Sequence, residues 1–578
     1  MDDLTMPGVS TGNGPRALRA AAGCALALLL AACAAAPTPP SAAAPPTRGA
    51  LHLRLIAIND LHGNLEPPAP ITVRDAQGAS QPRLVAAGGI ARLATAIAAE
   101  REGARHSIVV AAGDLVSASP LVSSLFYDEP TIEALNALGL DVTSVGNHEF
   151  DRGRTELRRL IDGGCRPGGC VGEPKYGGAH FAYLAANVRD EATGKPFLPA
   201  YAIREFEGLP VAFIGLVLTQ TPAMVSRSGI AGLRFEDEAD TVNALVPELR
   251  ARGVESIVVL IHQGATTSGS YNDPGCPEMA GDIVAIVKRF DRAVDAVVSA
   301  HTHQAYLCHV DGRLVTSAGS YGRFLTRIDL TIDRTTRDVT AATADNVLID
   351  PARYAPEPKV AALVARYAAL AAPRSGRVVG YVAAPVSQTA LPSGESALGN
   401  LIADAQLEAS RGAGAQIAFM NPGGVRAPLL SQRADRGVTF GDIYSIQPFG
   451  NNLVTVTLTG AEIRRVLEQQ FRKDAAGDQR NRVMFVSHGF TYQWDAAAPP
   501  GRRIVEGSVR LDGFPLDAAR DYRVAMNGFL ADGGDGYSAF RSGRDRQGGM
   551  LDIEALEAYL GAHSPVEAVD IGRITRLN

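Results

Sequence analysis

Five short apolar runs, rich in β-branched residues, each lead into a group of polar residues in the first half of the chain. An apolar run of this length bounded by turn residues predicts a strand buried on both faces, as in a sheet covered by helices. Because ligands of open α/β sheets bind at the carboxyl ends of the strands, the five groups predict one converging site. The runs and the polar residues that follow them are Leu53–Ile58 before Asn59-Asp60-Leu61-His62, Ser107–Ala112 before Gly113-Asp114, Val142–Val145 before Gly146-Asn147-His148-Glu149-Phe150-Asp151, Ile257–Ile261 before His262-Gln263-Gly264, and Val294–Ser299 before Ala300-His301-Thr302-His303.

These polar groups predict a metal centre. Imidazole, carboxylate and one amide without a thiolate suit Zn, Mn, Fe or Co better than Ca. The candidate ligands are too many for one four-coordinate ion, so we expect two ions that share a bridging carboxylate, an arrangement suited to displacement at phosphorus. A single His after a strand is more often structural, but five such motifs in order disfavour that alternative. The candidate ligands are Asp60, His62, Asp114, Asn147, His262, His301 and His303.

The same motifs, the Asn147-His148-Glu149 stretch above all, resemble the calcineurin-like metallophosphoesterase superfamily. Within it, the chain is most similar to the bacterial periplasmic 5′-nucleotidases and UDP-sugar hydrolases, over roughly residues 51–578. The resemblance implies that one ion is held by three ligands, the second ion by three others, and that one carboxylate bridges them. The implied roles are Asp60, His62 and His303 for the first ion, Asn147, His262 and His301 for the second, and Asp114 for the bridge.

The resemblance also implies that His148 and Asp151 form a catalytic dyad. Residues three apart in a helical turn share one face, and a carboxylate beside an imidazole orients it and favours its charged form. That cation stabilises charge on phosphoryl oxygens or on the leaving group. The alternative for Asp151 is an ordinary carboxylate at a helix N-terminus.

The chain changes character after residue 350, where strand–helix alternation fades. We therefore predict a catalytic domain over residues 50–350 and a second domain over 374–578. Between them, apolar residues at helical spacing in Lys359–Ala372 predict a linker helix within 351–373, ended by Pro373. The expected fold is a four-layered α/β-β-α metallophosphoesterase domain followed by an α/β substrate-binding domain.

Gly-rich turns in the second domain resemble the nucleotide-binding motifs of the 5′-nucleotidases, and glycine lets backbone approach a ligand closely. The resemblance implies that Phe449 and Phe529 sandwich the nucleobase, because stacking tolerates every base. Placement of both rings in the core is the alternative. The other implied substrate-binding residues are Asp535 for the ribose, Arg426 for the phosphate, and Asn421 and Asn451.

One departure concerns Gly394, which stands where relatives often carry an Arg before the Glu of a Glu-x-x-x-Gly-Asn motif. Phosphate contacts are therefore expected to be fewer, or to come from Arg411 or another Arg.

Residues 1–33 are predicted to be a signal peptide. Its apolar stretch Ala20–Ala32 is too short for an ordinary membrane span, and Leu30-Ala31-Ala32-Cys33 resembles a bacterial lipobox with Cys33 as the lipidated residue. Cleavage nearby by another peptidase, with Cys33 incidental, is the alternative. The Ala- and Pro-rich residues 34–49 predict a tether. We expect a periplasmic or outer-membrane lipoprotein of a bacterium, in contact with the membrane through its lipid anchor only.

Four cysteines lie outside the leader, and an even number in an exported chain predicts disulfides. Three pairings exist, of which we favour Cys165–Cys170 and Cys276–Cys308, because each pair lies within one stretch of the catalytic domain. Zinc binding is the alternative, although none of these residues stands in a C-x-x-C pair.

The expected activity is removal of the 5′-phosphate from nucleotides, extending to UDP-sugars or other nucleotide pyrophosphates, with two ions of Zn, Mn or Co, or of Mg. A net charge of −6 disfavours a nucleic-acid polymer as partner. Alternative substrates are 2′,3′-cyclic nucleotides and NAD. More distant alternatives are a sulfur-oxidation thiohydrolase, which the aromatic pair disfavours, and a surface binding protein with a vestigial metal site, which the intact ligands disfavour. The oligomeric state stays open.

Overall fold

The computed structural model describes residues 49–578 except 74–81, 168, 173–174, 226–228, 432, 474–478 and 568. The predicted signal peptide, Cys33 and the predicted tether up to residue 48 lie outside the described residues. Among the helices in the described ranges, none combines the length and the apolar character that a membrane crossing needs.

Two six-stranded mixed sheets form the first half of the described chain. In the first sheet the three strands that come after Ala50–Ile58 in the order given below run parallel to it. On its other side Phe324–Asp333 runs antiparallel to it, and the edge strand Val339–Leu348 runs antiparallel to Phe324–Asp333. Its order is Val339–Leu348, Phe324–Asp333, Ala50–Ile58, Ser107–Ala112, Val142–Ser144 and Ala182–Leu184. The order of the second sheet is Ala305–Val310, Arg313–Ala318, Val294–Val298, Ser256–His262, Leu209–Val217 and Tyr201–Phe206.

The two sheets pack face to face, and helices cover both outer faces. Along the first strand, Leu53 and Leu55 point into the core between the sheets, whereas Ile56 and Ile58 point into the core beneath the helices. Alternate residues of a strand face opposite ways, so a strand between two cores is apolar on both sides. The result is a four-layered α/β-β-α arrangement, the fold expected from the resemblance to the metallophosphoesterases.

The helices that cover the first sheet are Ile90–Glu102, Leu121–Ser124, Glu129–Leu138 and Gly153–Asp162, and those on the second are Glu238–Ala251 and Asp282–Arg289. The later helices are Pro358–Ser375, Ala397–Ala409, Phe440–Ile446, Gly460–Glu468, Gly528–Ala531 and Asp552–Ala562.

The helix Pro358–Ser375 corrects the predicted end at Pro373, which lies inside its last turn. Proline lacks the N–H that would bond to the carbonyl four residues earlier, but its fixed φ is compatible with a helix. The missing hydrogen bond affects only the last turn of the helix. That turn ends with a hydrogen bond from Gly376 N to Ala372 O over 2.9 Å. Val360 and Tyr367 of this helix are buried against the core of the first sheet.

The second half of the chain contains a five-stranded mixed sheet and a four-stranded sheet. The order of the first is Phe485–Val486, Ile417–Met420, Asp521–Asn527, Asn452–Thr459 and Arg544–Leu551, and that of the second is Phe514–Pro515, Arg510–Leu511, Phe490–Asp495 and Ile574–Leu577. Strand pairs complete the sheet structure: Ile71–Val73 with Arg83–Val85, Val188–Asp190 with Leu233–Phe235, Val378–Tyr381 with Gly437–Thr439, and Phe471–Lys473 with Gln479–Asn481.

Disulfides join Cys165 to Cys170 and Cys276 to Cys308, the two pairings favoured from the sequence.

Candidate functional site

The carboxyl ends of strands from both sheets meet, and backbone hydrogen bonds tie their loops together. His62 N donates to Asp114 O over 3.0 Å, which joins the loops after two neighbouring parallel strands. His301 N donates to Asp60 Oδ2 over 3.0 Å, which joins the first sheet to the second. The loops that carry the predicted ligands therefore support one another.

All the predicted ligands that carry a His or Asp side chain fall into groups whose donor atoms lie within 4.8 Å of one another. Asp114 Oδ2 lies 2.9 Å from His262 Nε2 and 3.6 Å from His62 Nε2. Asp114 therefore stands between the two sets, where a bridging ligand would have to be. The groups are Asp60, His62 and His303; His62, Asp114 and His148; and Asp114, His262 and His301.

The donor atoms fit divalent ions. His62 Nδ1 and His262 Nδ1 lie 3.0 and 2.8 Å from the carbonyl oxygens of Ser117 and Ala112, so each ring turns Nε2 toward the cluster. Asn147 Oδ1 is buried and meets no hydrogen-bond donor within the described part of the chain. A buried carbonyl oxygen without a partner is costly, and a cation at this point would satisfy it.

Five of the predicted ligands have left-handed backbone conformations, with positive φ, although none is glycine. Such a conformation costs roughly 1–3 kcal/mol at each residue and is concentrated at functional sites. The φ values are 49° for Asp60, 46° for His62, 48° for Asp114, 72° for His301 and 58° for His303. Strain of this kind is consistent with side chains aimed at a common point.

Burial sets the charge of three of the imidazoles, those of His62, His301 and His303. It lowers the pKa of His62 and His303 well below the ordinary value and lowers that of His301 to about 3. These rings are therefore neutral and can offer a lone pair. Burial acts to raise the pKa of Asp114, but the charges of His262 and His148 outweigh it and hold that pKa well below its ordinary value.

His148 and Asp151 form the predicted pair, with Nδ1 of the ring 2.7 Å from Oδ2 of the carboxylate. His148 begins the 3₁₀ turn His148–Phe150, and its backbone N donates to Asp114 Oδ1 over 2.9 Å. Burial opposes a charge on the ring, but Asp151 and Asp114 together raise the pKa of His148 above its ordinary value. The pair is therefore arranged to hold an imidazolium beside the cluster.

A cavity of about 800 Å³ connects this cluster to the second half of the chain. Its wall contains Asn147, His148, Asp151 and His301 from the first half. It also contains all the predicted substrate-binding residues: Asn421, Arg426, Phe449, Asn451, Phe529 and Asp535.

Both predicted aromatic residues are half-buried in the wall of this cavity. The Phe449 ring stacks on His148 with 5.7 Å between centroids and 20° between planes. Phe529 covers Gly534, where a Cβ would lie only 2.5 Å from the ring. Glycine is thus required beneath one of the two rings.

The polar residues of the second half bond to one another. Asn421 Nδ2 donates to Asp535 Oδ2 over 2.8 Å, and Asn527 Nδ2 donates to Asn421 Oδ1 over 2.9 Å. Asn451 Nδ2 donates to the buried Asp552 over 3.3 Å. These contacts fix the orientation of the side-chain amides toward the cavity.

Arg411 does not lie in this cavity, which corrects one of the expectations attached to Gly394. It lines a different groove of about 460 Å³, beside His488 and His563. Gly394 has φ +92°, and a Cβ there would lie 2.4 Å from Val483 Cβ, so this backbone position accepts no longer side chain. The arginines that line the main cavity are Arg426, Arg482, Arg541 and Arg546.

Sequence reasoning missed two residues that shape the site. The Glu149 carboxylate accepts backbone N–H groups of Asp114, Leu115 and Gly146 over 2.9, 2.8 and 2.6 Å, and so joins two ligand loops. Asn59 Oδ1 accepts Ala318 N over 2.8 Å and anchors the first loop to the second sheet. Both residues lie within the polar motifs, Asn59 next to Asp60 and Glu149 next to His148, and this position could have indicated their role.

Two family models match the chain. The model of calcineurin-like phosphoesterases matches residues 53–305, and that of the 5′-nucleotidase C-terminal domain matches residues 378–542.

The chain is 33% identical over 525 residues to Endonuclease YhcR of Bacillus subtilis (strain 168), a match over 90% of this chain and 41% of that protein. It is 31% identical over 528 residues to Cell wall protein Lmo0130 of Listeria monocytogenes, over 85% of this chain and 64% of that protein.

The chain therefore spans less than two thirds of the length of these two relatives. Among solved structures, the 5′-nucleotidase precursor from Thermus thermophilus is similar, with a TM-score of 0.75 and 27% identity. That similarity covers 91% of this chain and 100% of the solved chain.

Proposed function

We propose that this chain, which belongs to the calcineurin-like phosphoesterases that carry a 5′-nucleotidase C-terminal domain, removes the 5′-phosphate from nucleotides. The matches to the two family models and the similarity to the solved structure confirm the predicted family and the predicted α/β fold class. The proposed reaction turns a nucleoside monophosphate and water into a nucleoside and phosphate. The observation that carries the proposal is the single cavity that joins His148 and Asp151 to Phe449 and Phe529.

The fold implies divalent metal ions, and the residues present fit them. We propose that two ions would be held here, the first by Asp60, His62 and His303 and the second by Asn147, His262 and His301, and that Asp114 would be shared by both. Zn, Mn or Co suits the mixed nitrogen and oxygen donors better than Mg does. When bound, such ions neutralise phosphoryl charge and lower the pKa of water so that it can attack phosphorus.

The residues of the chain do the remaining work. Asp151 holds Nδ1 of His148, which directs Nε2–H of the ring toward the reacting phosphate or its leaving oxygen. Arg426 adds a positive charge next to His62. Phe449 and Phe529 stack on the base, and Asp535 accepts hydrogen bonds from the ribose hydroxyls.

Nucleotide pyrophosphates such as UDP-sugars are the second candidate substrates. The volume of about 800 Å³ and the arginines that line the cavity beyond Arg426 support them, because these substrates are longer and carry a further phosphate.

We further propose that the protein is exported. Two disulfides support this location, because disulfides persist in oxidising compartments. The relative from Listeria monocytogenes is named a cell wall protein. Lipid anchoring at Cys33 stays a prediction.

The test is hydrolysis by the purified chain loaded with Mn, Zn, Co or Mg. Nucleoside monophosphates, 2′,3′-cyclic nucleotides, NAD and UDP-glucose are compared at equal concentration, with release of phosphate and of nucleoside as readouts. We expect the monophosphates to be hydrolysed fastest. Hydrolysis of none of these compounds with any metal would contradict the proposal, and exclusive use of NAD or cyclic nucleotides would redirect it.

A further inference from the structure

The backbone of Arg482 makes two hydrogen bonds, whereas its side chain lines the main cavity. Its N–H donates to Gln470 O over 2.9 Å, and its carbonyl accepts the Tyr537 hydroxyl. The next residue, Val483, is buried in the core. The side chain of Arg482 is nevertheless 49% exposed and lines the main cavity. The position is therefore fixed by the core, while the guanidinium is presented to whatever occupies the cavity.

The guanidinium of Arg482 contacts the residue proposed to bind ribose and lines the cavity that also reaches the proposed ligand cluster. Arg482 Nη1 donates to Asp535 Oδ1 over 2.9 Å. His301 of the proposed ligand cluster lines the same cavity as Arg482 and Asp535. In a 5′-nucleotide the phosphate is joined directly to the ribose. A nucleotide with its ribose at Asp535 would therefore carry its phosphate next to Arg482.

Most of the hydrogen-bonding capacity of Arg482 is unused. A guanidinium carries five N–H donors, and within the described ranges the Arg482 side chain uses one of them, toward Asp535. Asp535 is in turn shared with Asn421, which bonds its other oxygen. The remaining donors of Arg482 can therefore meet an anion in the cavity without breaking the existing contact.

We propose that Arg482 is a second phosphate-binding arginine, which contacts the phosphate ester of the substrate from its ribose side while Arg426 contacts it from the side of His62. The inference rests on the proposed nucleotide substrate and adds a residue to its binding. Two guanidinium groups on opposite sides complement the two negative charges of a phosphate monoester.

The contact between Arg482 and Asp535 is also compatible with a second role, in which Arg482 only positions Asp535. If Arg482 only positions Asp535, its loss weakens binding of the nucleoside part and leaves phosphate binding unchanged. The two roles therefore separate on two simple probes: inorganic phosphate, and the nucleosides adenosine and uridine.

The experiment measures binding of both probes to the metal-loaded full chain by calorimetry, so it does not depend on hydrolysis. The variants are Arg482→Gln and Arg482→Lys, with the exposed Arg510→Gln as the matched control. For Arg482→Gln we expect phosphate to bind about ten- to hundred-fold more weakly, the range for a lost charge-assisted hydrogen bond. Arg482→Lys, which keeps the charge but not the fork, should lose less, and nucleoside affinity should stay within about two-fold.

Unchanged phosphate affinity in Arg482→Gln would overturn the proposal. An equal loss of phosphate and nucleoside affinity would also overturn it, because it would assign Arg482 to the shape of the cavity. Melting temperatures establish that each variant is folded, and Arg482→Lys carries the test if Arg482→Gln is not. The two proposals can fail separately. If the chain hydrolyses no nucleotide but its phosphate affinity still depends on Arg482, the proposed function is wrong and this inference stands.

Discussion

Nη2 of Arg426 lies 3.4 Å from Nε2 of His62, although 364 positions separate the two residues in the chain. Burial is the main cause that lowers the pKa of His303, and the charge of Arg426 is the second. Arg426 thus brings positive charge to a cluster that is proposed to hold cations. Arg426 Nε is buried and meets no acceptor among the residues that the structure describes. A buried cation without an anion is unfavourable, and this supports the proposal that Arg426 binds the phosphate of the substrate.

Asp114→Ala should lose both metal ions and nearly all activity. Without the shared carboxylate, two cations about 3.5–4 Å apart would repel each other. Metal analysis of the purified variant decides the point, with the exposed Asp521→Ala as a control that keeps both ions. Two ions per chain in Asp114→Ala would disprove the bridging role.

His148→Asn should keep both metal ions and slow turnover by about two to four orders of magnitude, the range for a positioned proton or charge donor. The measurement is kcat for a nucleoside monophosphate together with the metal content. His563→Asn, at an exposed histidine paired with Glu408, is the matched control. Turnover equal to that of the control would exclude a catalytic His148.

Asp552 should make stability fall as pH rises. Burial raises the pKa of Asp552 to about 7 from an ordinary 3.8. The folded state therefore binds more protons than the unfolded state between roughly pH 4 and pH 7, and its stability declines as pH increases through that window. Asp552→Asn cannot ionise and should lose this decline.

The check is the change in melting temperature between pH 5 and pH 8 for both proteins. We expect a larger drop for the natural chain than for Asp552→Asn, since contributions from other groups are common to both. Identical drops would show that Asp552 keeps an ordinary pKa.

The first half of the site could be predicted from the sequence because its signals are local. Each predicted ligand follows one of five apolar runs, and parallel strands bring their carboxyl ends together. The expectation that Arg411 contacts the phosphate was wrong, because Arg411 lies in a different groove. Its position in the sequence, just after the helix Ala397–Ala409, does not specify which side of that helix it lies on. Arg482 carried no motif, because its place depends on the pairing of Phe471–Lys473 with Gln479–Asn481 and on the anchoring of Val483 in the core.

The helix end at Pro373 shows a related limit. A proline predicts a break from the sequence, but in the last turn it costs one hydrogen bond, and packing of Tyr367 and Ala371 against the core keeps the helix in place. Tertiary packing therefore decided where the helix ended.

The claim that both halves of the chain form one nucleotide site is tested most directly by Phe529→Ala, measured on a nucleoside monophosphate and on p-nitrophenyl phosphate. Loss of one stacking contact should raise KM for the nucleotide about five- to hundred-fold. The small ester, which has no nucleobase, should be affected far less, and the melting temperature should stay close to that of the unmodified chain. Equal losses on both substrates with a lowered melting temperature would contradict the claim and place Phe529 in the core.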